Sequence, residues 1–165
     1  MRRHGSGNRQ DAVAAIGLRK RIRKKIHKLT ESVIATRSNI VTTMEKQMVR
    51  RFLESIFQVY ACADGTCSVI VHTLTSTDVN KKQMRLPMRA VPDDLEITGD
   101  ITVRFYPAVS VTGSYKVLLN DDGRVKIDCW KDFIKEAGWE VNRKIVMLFC
   151  RGNGFTWLFA NPLHG

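Results

Sequence analysis

The chain has no run near the roughly 18 consecutive apolar residues that a membrane-spanning helix needs, and its N-terminus is too charged to hold a secretory apolar core. A soluble intracellular protein with no membrane partner is expected. None of the four prolines falls within residues 11–54, so nothing there forces a helix to break. Four cysteines (Cys62, Cys67, Cys129, Cys150) form no C-x2-C pair and meet no histidine pair at zinc-ligand spacing. They read as reduced, mostly buried thiols, and no metal site is expected.

Catalytic patterns are missing too. His4, His27, His72 and His164 are scattered, without a Cys, Ser or carboxylate partner at a recognisable spacing. The paired carboxylates Asp93-Asp94 and Asp121-Asp122 sit among turn formers, where Asp is an ordinary turn residue. There is no glycine-rich phosphate loop and no nucleotide fingerprint. The expectation is a protein that is not an enzyme, with no cofactor and no small-molecule substrate.

What the chain does have is positive charge, +11 in all, unevenly placed. Residues 1–54 hold 14 Lys/Arg against Asp11, Glu31, Glu45 and Glu54, which leaves the remaining residues at +1. Such a balance favours a polyanion, because Lys and Arg release counterions condensed on a phosphate backbone. Arg19, Lys20, Arg21, Arg23, Lys24, Lys25 and Lys28 place cations around most of one helix, leaving Ile22, Ile26 and Leu29 as a narrow apolar strip. That run suits nonspecific phosphate binding or nuclear import. An Arg-rich, acid-poor start also fits an organellar transit peptide, and that alternative stays open. A membrane-surface helix is disfavoured, since no Trp or Phe occurs before Phe52.

Composition divides the chain near residue 55, giving an N-terminal extension over 1–54 and a second region over 55–165. Polar, glycine-containing residues 1–10 are expected to be disordered. Beyond them Ile22, Ile26, Leu29, Val33, Thr36 and Ile40 alternate four and three apart, loosely continued by Met44 and Met48. The spacing predicts a long basic helix over 11–54, with a break near Thr42 and Thr43, whose apolar face passes into the next region through Phe52, Leu53, Ile56 and Phe57. The stripe also fits a heptad, which leaves pairing with a second copy or another helix open.

After residue 58 the texture becomes β-branched and aromatic. Segments 59–63, 67–74, 101–106, 115–119, 145–150 and 155–159 read as strands, separated by turn formers such as Asp64-Gly65 and Gly152-Asn153-Gly154, the latter suiting a tight hairpin. Residues 89–95 and 128–137 read as short helices, the second capped by Asp128 and ended by Gly138. Six or seven strands at this spacing predict a barrel. Trp130, Trp139, Trp157, Phe133 and Phe149 are read as core rather than as stacking platforms for bases.

Leu74-Thr75-Ser76-Thr77-Asp78-Val79, followed by Met84-Arg85-Leu86-Pro87 and Ala90, resembles the L-T-x-S-D-V and L-x-L-P run of plant B3 DNA-binding domains. Tyr115-Lys116-Val117 resembles the family's aromatic strand, and Trp130-Lys131-Asp132-Phe133-Ile134-Lys135-Glu136 its G-W-x-x-F-V-x-E helix. The resemblance covers about residues 57–160. Cys129 stands where the family usually has Gly, and Asn142-Arg143 where it usually has a Gly-Asp turn. The resemblance implies a mainly β fold, a seven-stranded open pseudobarrel with two short helices.

It further implies two DNA-gripping loops in the major groove. The first is Asn80-Lys81-Lys82-Gln83 with Arg85 alongside; its cations suit phosphates, and its Asn, Gln and Arg suit base edges. The second is Asn120-Asp121-Asp122-Gly123-Arg124 with Lys126, where two carboxylates oppose a phosphate backbone. The expected function is sequence-specific binding of double-stranded DNA by a nuclear transcription regulator. Two alternatives remain: a degenerate interaction module that forms a homodimer or heterodimer through its N-terminal helix, and an organelle-targeted RNA-binding protein.

Overall fold

Residues 145–150 form a run of six apolar side chains with no period-two alternation, and all six are buried. Such a run needs cover on both faces of its strand. The computed structural model, which describes residues 4–37 and 40–163, shows how that cover is supplied.

The elements in chain order are α1 (His4–Glu31), β1 (Ile34–Ala35), α2 (Thr43–Val59), β2 (Thr66–Thr73), α3 (Ser76–Val79), β3 (Met84–Leu86), a 3-10 turn (Met88–Ala90), β4 (Thr98–Phe105), β5 (Val109–Leu118), β6 (Arg124–Ile127), α4 (Trp130–Ala137), β7 (Lys144–Gly152) and β8 (Phe155–Pro162). All eight strands join one sheet in the order β1-β2-β7-β8-β4-β5-β6-β3, curled into a half-barrel. Neighbours are antiparallel except for β1 with β2 and β4 with β8.

On one face of the sheet, Val69, Val71, Val146, Leu148, Cys150 and Phe159 pack under Val49, Phe52, Leu53, Ile56 and Phe57 of α2, with Ile26 and Leu29 of α1 beside them. On the other, Ile70, Met147 and Phe149 meet Met84, Leu86, Val125 and Ile127 around Trp130 and Phe133 of α4. The composition break near residue 55 falls inside α2, whose apolar side chains on both sides of that point enter the first of these clusters.

Several expectations need correction. The long helix over 11–54 is two helices with a strand between them. β-Branched Val33-Ile34 are poor helix formers, and Ile34 and Ala35 instead pair with Ile70 and Val71 on the open edge of β2. The apolar stripe therefore stops at Leu29, and Ile40 is 80% exposed. The break near Thr42 is present: the Thr42 hydroxyl accepts from the Glu45 amide, and the Glu45 carboxylate accepts from the Thr42 amide, each at 3.1 Å. Of the expected disordered opening, residues 1–3 lie outside the described residues, while the backbone of 4–10 forms the first turns of α1.

Residues 59–63 are not a strand; helical bonding continues to the Tyr60 amide, which donates to Ile56, and a turn follows. The helix expected over 89–95 shrinks to a 3-10 turn, because Pro92 has no amide hydrogen to continue it. Asp128 does not cap α4. Cys129 occupies that position, and the Asp128 carboxylate accepts from the Ser114 hydroxyl at 3.1 Å. Gly138 ends α4 at φ 67°, and Asn142 takes the left-handed conformation at φ 73°. The sheet has eight strands rather than seven.

Candidate functional site

β1 and β3 are the two edges of the sheet, and its curl brings them toward each other: the Arg89 guanidinium, just after β3, donates to the Ala35 carbonyl of β1 at 3.0 Å. A cleft of about 500 Å³ opens along this seam. Its wall includes Thr36 and Arg37 after β1, His72 of β2, Thr75, Thr77 and Asp78 around α3, and then Lys81, Gln83, Arg85, Arg89 and Arg124.

The two sequence-predicted loops meet here. β3 pairs antiparallel with β6, which puts the loop before β3 at one end of this short ladder, the loop before β6 at the other, and Arg85 between them opposite Lys126. Lys126 is in turn opposite Lys116 on β5, which sets three cations in a row across β3, β6 and β5. The Arg85 guanidinium also donates to the Asp121 carboxylate at 2.7 Å and so ties one loop to the other. Lys81, Gln83, Arg85 and Arg124 line the cleft; Asn80, Lys82, Asn120 and Lys126 do not. The Asn80 amide donates to the Ser76 hydroxyl at 3.0 Å, and Lys82 is half-buried at φ 54°.

The predicted set did not include Arg37, Arg89, Thr36, Thr75 and Thr77. Arg89 follows directly from the Leu86-Pro87 motif and was legible there as a cation close to the first loop. Arg37 carried no such signal, because parallel pairing of β1 with β2 brings it to the seam from far away in sequence.

One wall is held by a buried polar chain. The Thr36 hydroxyl lies 2.6 Å from Nδ1 of His72, and Nε2 of His72 lies 2.7 Å from the Asp78 carboxylate. That carboxylate also accepts from the Thr75 amide at 2.8 Å, and the Asp78 carbonyl accepts from the Trp130 indole at 2.9 Å. Burial disfavours the ionised Asp78, but the hydrogen bonds from His72 and Thr75 outweigh it and hold the carboxyl below its usual pKa. The chain thus links the end of β1 to β2, α3 and α4.

The charge at the cleft is lopsided. Arg37, Lys81, Arg85, Arg89 and Arg124 face it, and Asp78, the lining carboxylate, is engaged by His72. The region over 55–165 is nearly neutral overall, but four of its 13 Lys and Arg line the seam against one of its carboxylates, Asp78, while Asp93, Asp94, Glu96 and Asp100 lie outside the lining. The arrangement can hold an extended anion between two edges, with threonines and Gln83 as neutral hydrogen-bonding groups.

In the arm, Arg19, Lys20, Arg21, Arg23, Lys24 and Lys28 are exposed. Lys25 is half-buried, and its ammonium donates to the carbonyls of Ala63 and Gly65. Trp130, Phe133 and Phe149 are fully buried and Trp139 nearly so. Trp157 is only half-buried, stacked on Phe155 with ring centroids 4.3 Å apart.

All four cysteines are free thiols, with Cys67 Sγ 3.1 Å from Cys150 Sγ. The hydrogen bond with Cys150 lowers the Cys67 pKa against the opposing effect of burial, helped by nearby Lys25. Burial pushes the Cys129 thiol up to about 11. Among the described residues no group of three or more His, Cys, Asp or Glu side chains is placed to hold a metal ion. No known family model matches the chain, and no curated protein is significantly similar to it.

Proposed function

We propose that the chain binds double-stranded DNA through the seam cleft, as a nuclear transcription regulator of the B3 type. The observation that carries this reading is the cleft lining, where Lys81, Gln83 and Arg85 of the first loop implied by the B3 resemblance meet Arg124 of the second, with Arg37 and Arg89 beside them. Phosphates would be held by Lys81, Arg37 and Arg89; Gln83, Arg85 and Arg124 are the side chains suited to base edges in the major groove. In this reading the curled sheet is an open pseudobarrel of seven strands, β2 to β8, with two-residue β1 as an added edge.

Lys81→Ala combined with Arg124→Ala tests it. Both side chains are exposed, so the fold should survive, and duplex affinity should fall at least tenfold, each lost base contact costing about 1–3 kcal/mol. Selection from random duplexes with the unaltered chain should return a preferred site, and the double variant should lose that preference. Unchanged affinity and unchanged preference would remove the cleft as the reading surface.

A further inference from the structure

The route of the chain along β2 separates the arm from the cleft. Lys25 is bound to the carbonyls of Ala63 and Gly65, just before β2 begins. Ile34 and Ala35 pair with Ile70 and Val71, and Thr36 reaches His72 near the end of β2. From 25 to 36 the chain therefore travels in the direction of β2, and the helix upstream of Lys25 continues backward past its start. At a rise of about 1.5 Å per residue, the basic stretch from Lys24 back to Arg19 extends about 8 Å farther. The cleft lies at the other end, where His72 and Asp78 sit, and the ends of an eight-residue strand are about 25 Å apart.

The faces differ as well as the ends. α1 and α2 cover the face of the sheet that carries Val69, Val71 and Val146, whereas the cleft is lined by His72 and Met147, which point to the opposite face. A duplex seated in the cleft is therefore turned away from the basic run of α1.

That run has its own ligand chemistry. There is no carboxylate between Asp11 and Glu31. Among the described residues, none of Arg19, Lys20, Arg21, Arg23, Lys24 and Lys28 takes part in an ion pair. A second copy of this helix would be repelled, and an anionic membrane surface would find no Trp or Phe to insert before Phe52. Cations spaced around a helix match the regularly spaced phosphates of a duplex backbone.

We propose that the basic part of α1 holds a second duplex segment, separate from the one in the cleft, so that a single chain bridges two. This rests on the reading of the cleft as a duplex-binding surface, and the experiment separates the two ideas. Duplexes of about one helical turn, too short to reach round from one face of the sheet to the other, are mixed at low salt with the full chain, half carrying a donor dye and half an acceptor. Sedimentation gives duplexes per monomeric chain, and energy transfer reports bridging.

The expected result is two duplexes per chain with transfer between them. Changing Arg19, Lys20, Arg21, Arg23 and Lys24 together to Gln should leave one duplex and abolish transfer, with helix content by circular dichroism unchanged. The Lys81→Ala, Arg124→Ala chain should likewise keep one duplex, now lost with the arm. Changing the three arm arginines to Lys should retain both.

One duplex per chain, weakened by the cleft substitutions and indifferent to the arm, overturns the bridge and leaves the cleft reading standing. One duplex lost with the arm and indifferent to the cleft overturns both. One duplex weakened by either set means a single composite surface and overturns the bridge. Binding of an acidic peptide by the arm, with no duplex bound there, overturns it as well.

Discussion

The two ends of β2 carry positive charge in different ways. At its start, α1 holds exposed cations on a regular helix, fixed to the rest of the protein through Ile26, Leu29 and Lys25. At its end, five cations from four separate stretches of chain converge on a seam whose geometry depends on β-pairing and the Thr36–His72–Asp78 chain. The first is electrostatics with little tertiary structure behind it, and the second is tertiary structure that creates its electrostatics. Removing charge from the arm should change attraction to polyanions and leave stability within about 0.5 kcal/mol, as for other exposed sites. Loosening the cleft should act through the fold.

The sharpest division lies within the first 59 residues, between α1 and α2. Leu53 is fully buried against the sheet. Leu53→Ala should cost about 3 kcal/mol by chemical denaturation, the usual range for a large-to-small core change. A loss below about 1 kcal/mol would place α2 with the arm instead of the core.

Next in size is the polar wall of the cleft. Asp78→Ala leaves Nε2 of His72 and the Thr75 amide without their shared acceptor, and a loss of about 2 kcal/mol at neutral pH is expected. The pH dependence follows from the lowered folded-state pKa of Asp78. The stabilisation from the ionised carboxyl is present above the unfolded value, near 3.8, and is lost as pH falls through the lower folded value. Denaturation curves of the two proteins should thus converge below pH 3.8; a gap that widens on acidification would contradict this account.

A smaller effect tests the start of α2. Thr42→Ala removes the acceptor for the Glu45 amide, worth about 1 kcal/mol. The loss should appear in stability and not in duplex affinity, since Thr42 is no part of the cleft lining.

How much of this was legible in the sequence varies with the range of the interactions involved. The 67–74, 145–150 and 155–159 strands, the Gly138 stop and the break near Thr42 follow from local pattern and cap chemistry. β1, β3 and β6, of two, three and four residues, exist because a neighbouring strand pairs with them, and no periodicity can build up over so short a run. The apolar stripe misled past Leu29 because Val33 and Ile40 keep the helical spacing while the chain has left the helix. Lys81, Gln83, Arg85 and Arg124 were legible because their loops flank recognisable motifs. Arg37 was not, because its place at the seam depends on a parallel pairing between residues 34–35 and 70–71. His72 read as an ordinary strand residue; its partner Asp78 read only as part of the L-T-x-S-D-V-like run, where neither the cap it forms with Thr75 nor its place as a buried acceptor was seen.

The least expected magnitude is also the most discriminating for the cleft. Asp121 faces two roles of opposite sign: its carboxylate repels a phosphate backbone, and it orders Arg85 across the two loops at 2.7 Å. Both partners are about half exposed, so the pair contributes under about 1 kcal/mol to stability. If Arg85 serves the ligand directly, Asp121→Asn releases it and removes a repulsive charge. Duplex affinity should then tighten about threefold, the scale of an exposed ion pair, and the dependence on salt should steepen by up to about one released ion. If the pair instead clamps the two loops into register, the same substitution weakens binding while the salt dependence stays the same. A titration at two salt concentrations separates the two, and the first result is expected because β3–β6 pairing already fixes the register of the loops without help from Asp121.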